Sequence, residues 1–212
     1  MHRWRPTVFA PVGQTDQVRD ASHTAGPPLV GEQVTLRDWR AADIPVWREW
    51  MLPHQDWHRW DGPYFPKRTV EEVEAAAAEK AAAISDQPST PRQSLVIADR
   101  ADDQLLGAVN WHWESEASNW RRIGITVYDP AVRGRGIGTE ALQLWSTHLF
   151  TTCPIVRLDL STWSGNVAMC EAAAKAGWVE EARFRDAREV RGRRYDSVVY
   201  GTTRGEWDAR RR

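Results

Sequence analysis

Residues 132–139 read Val-Arg-Gly-Arg-Gly-Ile-Gly-Thr, and this stretch decides the fold. The stretch contains three glycines, at positions Gly134, Gly136 and Gly138. Glycines remove side chains where backbone N–H groups could approach an anion. A helical pattern of apolar residues follows, so the positive end of a helix dipole would lie beside them. Arg133 and Arg135 can add positive charge. The stretch therefore predicts a loop that binds phosphate.

Two other glycine-rich phosphate loops fit this segment less well. The P-loop of nucleotide hydrolases requires a lysine after its last glycine, whereas here Thr139 follows Gly138 directly. The dinucleotide-binding fingerprint is satisfied from Gly136 onward, and Asp159 lies about twenty positions downstream, where an acidic ribose ligand would be sought. Its context differs, because residues 129–132 separate the glycines from the preceding strand and repeated strand–helix–strand units are missing. A dinucleotide-binding oxidoreductase remains an alternative.

The composition predicts one soluble domain. The chain has 212 residues, of which 42% are hydrophobic, enough for a single core. Lys plus Arg number 28 against 29 Asp plus Glu, so overall charge does not favour a nucleic-acid or membrane partner. Cys153 and Cys170 lack the spacing of a zinc site or a disulfide scaffold, and no metal site is predicted. Neither a signal peptide nor an apolar run of about 20 residues is found. We expect a cytoplasmic protein.

The spacing of apolar and polar residues predicts the order of helices and strands. Residues 1–30 are proline-rich and are expected to form an arm, and residues 31–208 a single domain. Strands are predicted at residues 33–37, 94–98, 105–113, 122–128 and 155–160, and helices at 41–51, 69–84, 139–150 and 166–176. Residues 178–188 and 195–202 are expected to form a final hairpin with its turn at residues 191–193. Thr69 followed by Glu72 predicts a capping box at the start of the helix at 69–84, and Gly177 is expected to end the helix at 166–176 in the left-handed conformation. The three consecutive strands between residues 94 and 128 predict an antiparallel meander.

Three separated motifs carry a resemblance to a known family. Residues 133–138 match the signature Gln/Arg-x-x-Gly-x-Gly/Ala at every defined place. Residues 160–178 resemble the family's next strand and its Asn-led helix, which ends in Gly plus an aromatic residue. Residues 195–207 resemble the C-terminal strand of one branch. Over about residues 33–207 the chain thus resembles the GNAT superfamily of N-acetyltransferases, in the branch of ribosomal-protein and spermidine acetyltransferases.

The resemblance implies a fold, a cofactor and a reaction. It implies an α+β fold with a mixed, mostly antiparallel sheet flanked by helices, and acetyl transfer from acetyl-CoA to a primary amine by direct attack. A homodimer is compatible with it. The implied cofactor residues are Ile125 and Val127 on the strand before the loop, Arg133, Gly134, Arg135, Gly136, Gly138 and Thr139 in the loop, and Asn166 on the next helix. Asn166 would serve equally well as a helix N-cap.

Direct attack on a thioester requires an amine that has lost its proton. Glu114 is the first candidate for the base that accepts this proton, and His112 is the second. Many relatives carry a tyrosine in the second half of the Asn-led helix as proton donor, but Ala173 stands there in this chain. Cys170 and Ser164 are nearby alternatives. The missing tyrosine also keeps open a non-catalytic acyl-CoA-binding sensor.

The segment before residue 65 is the predicted acceptor side. The chain has 13 tryptophans, and several crowd between residues 39 and 60. Tryptophan commonly fills a core, but its ring can also wall a pocket for a cationic amine. Trp57, Trp60 and Tyr64 are therefore predicted to contact the acceptor, near the carboxylates of Asp56 and Asp61. A peptide N-terminus, a polyamine and another small amine all remain open as acceptors.

Overall fold

The computed structural model describes residues 26–84 and 91–210, which fold around one eight-stranded sheet. The strands are β1 (Leu29–Val30), β2 (Val34–Arg37), β3 (Ser94–Asp99), β4 (Leu105–Ser115), β5 (Trp120–Val127), β6 (Arg157–Trp163), β7 (Val179–Val190) and β8 (Arg193–Thr203). The helices are α1 (Asp43–Met51), α2 (Val70–Ala83), α3 (Ile137–Thr152), α4 (Val167–Lys175) and α5 (Arg204–Ala209). Within these residues, no helix is long and apolar enough to cross a membrane.

The sheet order is β1-β2-β3-β4-β5-β6-β8-β7, and only β5 and β6 are parallel neighbours. The predicted meander is β3, β4 and β5, and the predicted α+β fold with a mixed, mostly antiparallel sheet is confirmed. The dinucleotide alternative is wrong, because it requires a mainly parallel, doubly wound sheet.

The N-terminal boundary differs from the predicted one. Residues 1–25 of the predicted arm lie outside the described residues. Leu29 and Val30 pair with Leu36 and Thr35 of β2, so the sheet begins before residue 31. Such a short strand shows no alternation that a sequence pattern could reveal.

Helices cover both faces of the sheet. Side chains alternate along each strand, so one strand contributes apolar side chains to both faces. On β3, Leu95 and Ile97 pack in the cluster that contains α3. Val96 and Ala98 pack in the cluster that contains α1 and α2. Each fully buried aliphatic side chain contributes about 1.5–3 kcal/mol. Trp145 of α3 is fully buried, and its indole N–H donates to the Asn110 carbonyl at 3.1 Å, so this tryptophan is a core residue.

Two helices begin with the same reciprocal pair of hydrogen bonds. At α2, the predicted capping box is confirmed: Thr69 accepts from the Glu72 N–H, and the Glu72 carboxylate accepts from the Thr69 N–H. Thr203 and Glu206 repeat this arrangement at α5. The prediction that residues 204–207 continue a C-terminal strand is therefore wrong. In a capping box, side chains accept hydrogen bonds from backbone N–H groups that, in a strand, would bond to the neighbouring strand.

The sheet splits between its two parallel strands. The β5–β6 ladder has three residue pairs and ends where Arg122 lies opposite Asp159. Beyond that pair, among the residues described, residues 123–127 pair only with β4 and residues 160–163 only with β8. We call the opening between these two segments the split. The split is closed at the Arg122–Asp159 pair. Its open end lies toward the glycine loop, because β5 leads into that loop.

A buried ion pair holds the closed end of the split. Arg122 donates to both oxygens of the Asp159 carboxylate, at 2.8 and 3.0 Å, and the Trp120 indole N–H adds a bond of 2.9 Å. Asp159 has no exposed side-chain surface. Its role as a ribose ligand, considered for the dinucleotide alternative, is thus wrong. Its carboxylate instead fixes the point at which β5 and β6 diverge.

His148 on α3 gives an expected pH dependence of stability. It stacks on Trp145, and burial together with the positive charge of Arg92 lowers its pKa to about 4. In the unfolded chain its pKa is about 6.5, so protons bind the unfolded state first as pH falls. The free energy of unfolding should therefore decrease as the pH falls from about 7 to about 4. We expect a decrease of about 1 kcal/mol, which is less than the full pKa difference would give, because His148 is partly solvated.

Urea unfolding at several pH values checks this expectation, with His148→Gln as the comparison. The variant should lose that part of the pH dependence. An identical dependence in both proteins would assign the acid sensitivity to other groups.

Candidate active site

The glycine loop ends at an uncapped helix N-terminus. Gly136 is the N-cap of α3, with a φ of 89°, and no side chain in the described part of the chain caps the helix. Gly134 has a φ of 76°, also in the left-handed region that favours glycine. The first N–H groups of α3 thus lack a capping side chain, and the helix dipole places partial positive charge there. This geometry fits a phosphate or pyrophosphate group.

The two arginines of the loop have different partners. Arg133 pairs with the Asp56 carboxylate at 2.7 Å and donates to the Tyr128 carbonyl at 3.1 Å. Arg135 is exposed and forms no ion pair within residues 26–84 and 91–210. The structure therefore places Arg135, and not Arg133, where a cation is available for phosphate.

A cavity of about 680 Å³ lies beside this loop. Gly136 and Thr139, both predicted to bind the cofactor, line it, and so does Lys175 of α4. The prediction omitted Lys175, an exposed cation that forms a solvent-exposed pair with Glu171 at 3.3 Å. Glu32 and Glu140 line the same cavity. Gly136, Thr139 and Lys175 could hold the phosphates of a nucleotide-derived cofactor such as CoA.

A second cavity, of about 500 Å³, lies at the split. Residues of β4, β5, β6 and β7 form its floor and sides, among them His112, Arg122, Ser161, Thr162, Trp163 and Arg188. Residues 56–67, which we call the roof segment, close it from above. Ile125 and Val127 lie on the β5 side of the split, with their side chains packed against the core.

Four hydrogen bonds hold the roof segment over the split. They run from Trp163 Nε1 to Trp60 O (2.8 Å), from Asn166 Nδ2 to Trp60 O (3.1 Å), from Thr126 Oγ1 to Asp61 Oδ2 (3.1 Å) and from Arg133 Nη1 to Asp56 Oδ2 (2.7 Å). The roof segment therefore contacts β5, β6, α4 and the glycine loop. It joins the cavity to the region predicted for the cofactor.

The predicted acceptor residues are only partly brought together. Trp57 and Tyr64 line the cavity, whereas Trp60 does not and its side chain is 40% exposed. The Trp60 carbonyl, not its ring, contributes by holding the roof segment.

Asn166 is the N-cap of α4, where its Oδ1 accepts from the Met169 N–H at 3.3 Å. The expectation that Asn166 serves as an N-cap is confirmed.

Asp61 is the carboxylate that faces the cavity. Asp61 lines the cavity and keeps exposed surface there. Burial raises the pKa of its carboxyl, and the hydrogen bond from Thr126 partly opposes this rise. A carboxylate whose pKa lies above its ordinary range is a better proton acceptor near neutral pH. Asp61 had been predicted only as a neighbour of the acceptor.

The predicted catalytic residues are distributed unevenly around the cavity. His112 lines it, opposite Arg122 in the β4–β5 ladder. Glu114 is paired with Arg122 at 2.8 Å and is not part of the wall. Cys170 is outside the wall as well, and burial raises the pKa of its thiol, which faces the Tyr200 hydroxyl. Of the predicted catalytic side chains, the structure brings only His112 to the cavity.

The alternative donors on and near α4 have structural roles. The Ser164 hydroxyl accepts a hydrogen bond from the Asp196 N–H at 3.0 Å and thereby joins the end of β6 to β8. Ala173 is fully buried in the core. The helix α4 therefore carries no tyrosine that could serve as a proton donor.

Comparison with known proteins identifies the family. A family model described as an acetyltransferase (GNAT) domain matches residues 33–179. The chain belongs to this family. A provisional ribosomal N-acetyltransferase of Bacillus subtilis (strain 168), YdaF, is 26% identical over 107 residues. That match covers 50% of this chain and 58% of YdaF, so the chain spans little more than half the length of this GNAT relative.

Solved GNAT structures share the fold. The ribosomal L7/L12 α-N-protein acetyltransferase RimL in complex with CoA is 17% identical, with a TM-score of 0.65, over 84% of this chain and 98% of RimL. Spermidine N-acetyltransferase from Vibrio cholerae, in complex with CoA and spermine, is 16% identical, with a TM-score of 0.65, over 82% and 98% of the two chains. At these identities the likeness concerns the fold alone.

Proposed function

We propose that this GNAT domain transfers the acetyl group of acetyl-CoA to a primary amine. The observation that carries the proposal is the split. On one side of it, β5 leads into an uncapped, glycine-lined helix N-terminus, and on the other side β6 lines the cavity that contains the Asp61 carboxyl. One end suits a pyrophosphate and the other suits an amine. Both cysteines are free thiols, which supports a reducing, cytoplasmic setting.

In the proposed arrangement the chain holds acetyl-CoA through backbone groups and cations. The N–H groups at the start of α3, Arg135 and Lys175 would bind its phosphates, and residues 123–127 offer unpaired backbone groups to its arm within the split. The thioester supplies a carbonyl carbon that is open to attack by an amine. A backbone N–H of β5 would stabilise the negative charge that develops on the carbonyl oxygen.

The reaction then needs a neutral amine in the cavity. The Asp61 carboxylate attracts the ammonium form and accepts a proton from it, directly or through one water. The amine nitrogen forms a bond to the acetyl carbon, and the carbon–sulfur bond breaks. As the amide forms, the nitrogen releases its second proton to solvent, and the departing thiolate takes up a proton from solvent. No covalent intermediate with the protein is required.

Thioester turnover with a mixture of primary amines tests this function. We expect release of free CoA that depends on the amines, and acetylated amines identifiable by mass spectrometry. Binding of acetyl-CoA without acetylation of any amine, peptide or polyamine would instead favour the sensor alternative, which the buried Ala173 keeps open. Absence of acetyl-CoA binding would contradict both.

His112 gives a smaller expected effect than Asp61. His112→Gln removes an imidazole from the cavity wall but leaves the Asp61 carboxylate and its bond to Thr126 in place. We expect kcat/KM for the amine to decrease by less than about tenfold. Steady-state kinetics at saturating acetyl-CoA measures this effect. A loss as large as that of an Asp61 variant would transfer the role of proton acceptor to His112.

A further inference from the structure

The charges in the cavity wall are unevenly distributed. Among the described lining residues, Asp61 supplies the one acidic side chain, whereas Lys67, Arg122 and Arg188 supply three cations. Asp159 neutralises Arg122. Lys67 donates to the Pro53 carbonyl at 2.7 Å, and no carboxylate of the described residues pairs with it. The wall therefore carries a net positive charge, which would repel an acceptor whose only charged groups are ammonium groups.

Arg188 is the cation best placed to bind a ligand. It lies on β7 opposite Tyr195, and it forms no ion pair within residues 26–84 and 91–210. Its Nε is buried and has no hydrogen-bond partner in that part of the chain. Because Nε is buried, the terminal N–H groups of the Arg188 guanidinium are the donors that a ligand in the cavity could reach.

An aromatic contact fixes the position of Arg188. Its guanidinium carbon lies 4.7 Å from the centroid of the Tyr64 ring, which belongs to the roof segment. Such a contact leaves the edge of the guanidinium free, and that edge carries the N–H groups that bind a carboxylate or phosphate in bidentate geometry.

Arg188 and Asp61 lie on different sides of the split. Asp61 is bonded to Thr126 of β5, whereas Arg188 belongs to β7, and the sheet order places β6 and β8 between those strands. One acceptor in the cavity could therefore present its amine to Asp61 and a second group to Arg188.

We propose that Arg188 makes this site selective for amines that also carry an anionic group, a carboxylate or a phosphate. The inference rests on the proposed acetyl transfer and adds a substrate class to it. A polyamine would place an additional ammonium group near Arg188 and Lys67, and the like charges repel. A zwitterionic amine satisfies both sides of the cavity.

Matched acceptors test the selectivity. The small set is γ-aminobutyrate, its neutral amide and putrescine, which share a primary amine on a four-carbon chain and differ in the group at the far end, anionic, neutral or cationic. The peptide set is Ser-Asp-Ala-Phe and Ser-Asn-Ala-Phe with amidated C-termini, which shows whether the anion comes from a small molecule or a peptide. We expect kcat/KM for the anionic member of at least one set to exceed that of its neutral partner by about tenfold or more, with putrescine the poorest acceptor.

Variants locate the effect at Arg188. Arg188→Gln should lower kcat/KM for the anionic acceptor about tenfold and leave the neutral one nearly unchanged, and Arg188→Lys should retain part of the preference. Arg194→Gln is the matched control, because Arg194 is exposed on the same hairpin and pairs with Glu189. Equal loss for charged and neutral acceptors would reduce Arg188 to a structural role and overturn the inference.

The two proposals fail in different ways. If the wild-type protein acetylates neutral amines or putrescine as well as the anionic amines, the selectivity is wrong and acetyl transfer stands. If no amine is acetylated, acetyl transfer is wrong, and the binding of γ-aminobutyrate in the presence of CoA then decides the inference. Equal affinity of the wild-type protein and Arg188→Gln in that calorimetric titration would overturn it.

Discussion

Asp61→Asn is expected to lower kcat/KM for amine acetylation by about a hundredfold to ten-thousandfold. The replacement is nearly isosteric, and the amide oxygen can still accept the hydrogen bond from Thr126, so the roof segment should stay in place. It removes the negative charge that attracts the amine and the group that accepts its proton. Steady-state kinetics measures the loss, and the affinity for acetyl-CoA should not change.

The pH profile separates a proton acceptor from a structural residue. Burial raises the pKa of Asp61, and a base acts only when deprotonated, so wild-type kcat/KM should rise with pH through a pKa above the ordinary aspartate range of about 3.9. Asp61→Asn should lose this acidic limb. Asp208→Asn, at an exposed carboxylate on α5, is the control and should behave as the wild type. An Asp61→Asn protein that keeps both its rate and its acidic limb would exclude this role.

Gly136→Val is expected to weaken acetyl-CoA binding by more than about a hundredfold. Gly136 has a φ of 89°, a conformation that a β-branched residue adopts only with strain of about 1–3 kcal/mol. Relief of that strain would move the backbone N–H groups at the start of α3, on which phosphate binding depends. Isothermal titration with acetyl-CoA measures the affinity, and thermal unfolding verifies a cooperative fold.

Gly192→Val is the matched control for this variant. Gly192 has a φ of 74° in the β7–β8 turn, and no atom lies within 4 Å of the position that a Cβ would occupy. Both substitutions therefore impose comparable backbone strain, but Gly192 lies outside the glycine loop. Gly192→Val should lower stability and keep the affinity for acetyl-CoA. Unchanged affinity in a folded Gly136→Val protein would disprove the assignment of the loop.

Local patterns predicted most of the fold. The capping box at Thr69, the left-handed Gly177 after α4 and the turn at Gly192 all lie where the sequence placed them, because each depends on neighbouring residues only. The helix α5 was missed although Thr203 and Glu206 carry the same signal as the box at α2. There the resemblance to a C-terminal strand was extended too far.

The candidate site was less predictable, since it depends on contacts between distant segments. The glycine loop is one continuous stretch, and its geometry follows from its own residues. The role proposed for Asp61 follows from the fold of the roof segment over β5, and that for Arg188 from the position of β7 beside β8. The pairing of Arg133 with Asp56 is likewise a long-range contact that no spacing rule indicates.

A crystal structure of the protein with bound CoA tests the central claim most directly. We expect the diphosphate to contact the backbone at Gly136 and Thr139, the pantetheine arm to enter the split along residues 123–127, and the thiol to reach the cavity beside Asp61. CoA bound outside the split, or a thiol that points away from the Asp61 cavity, would contradict the account.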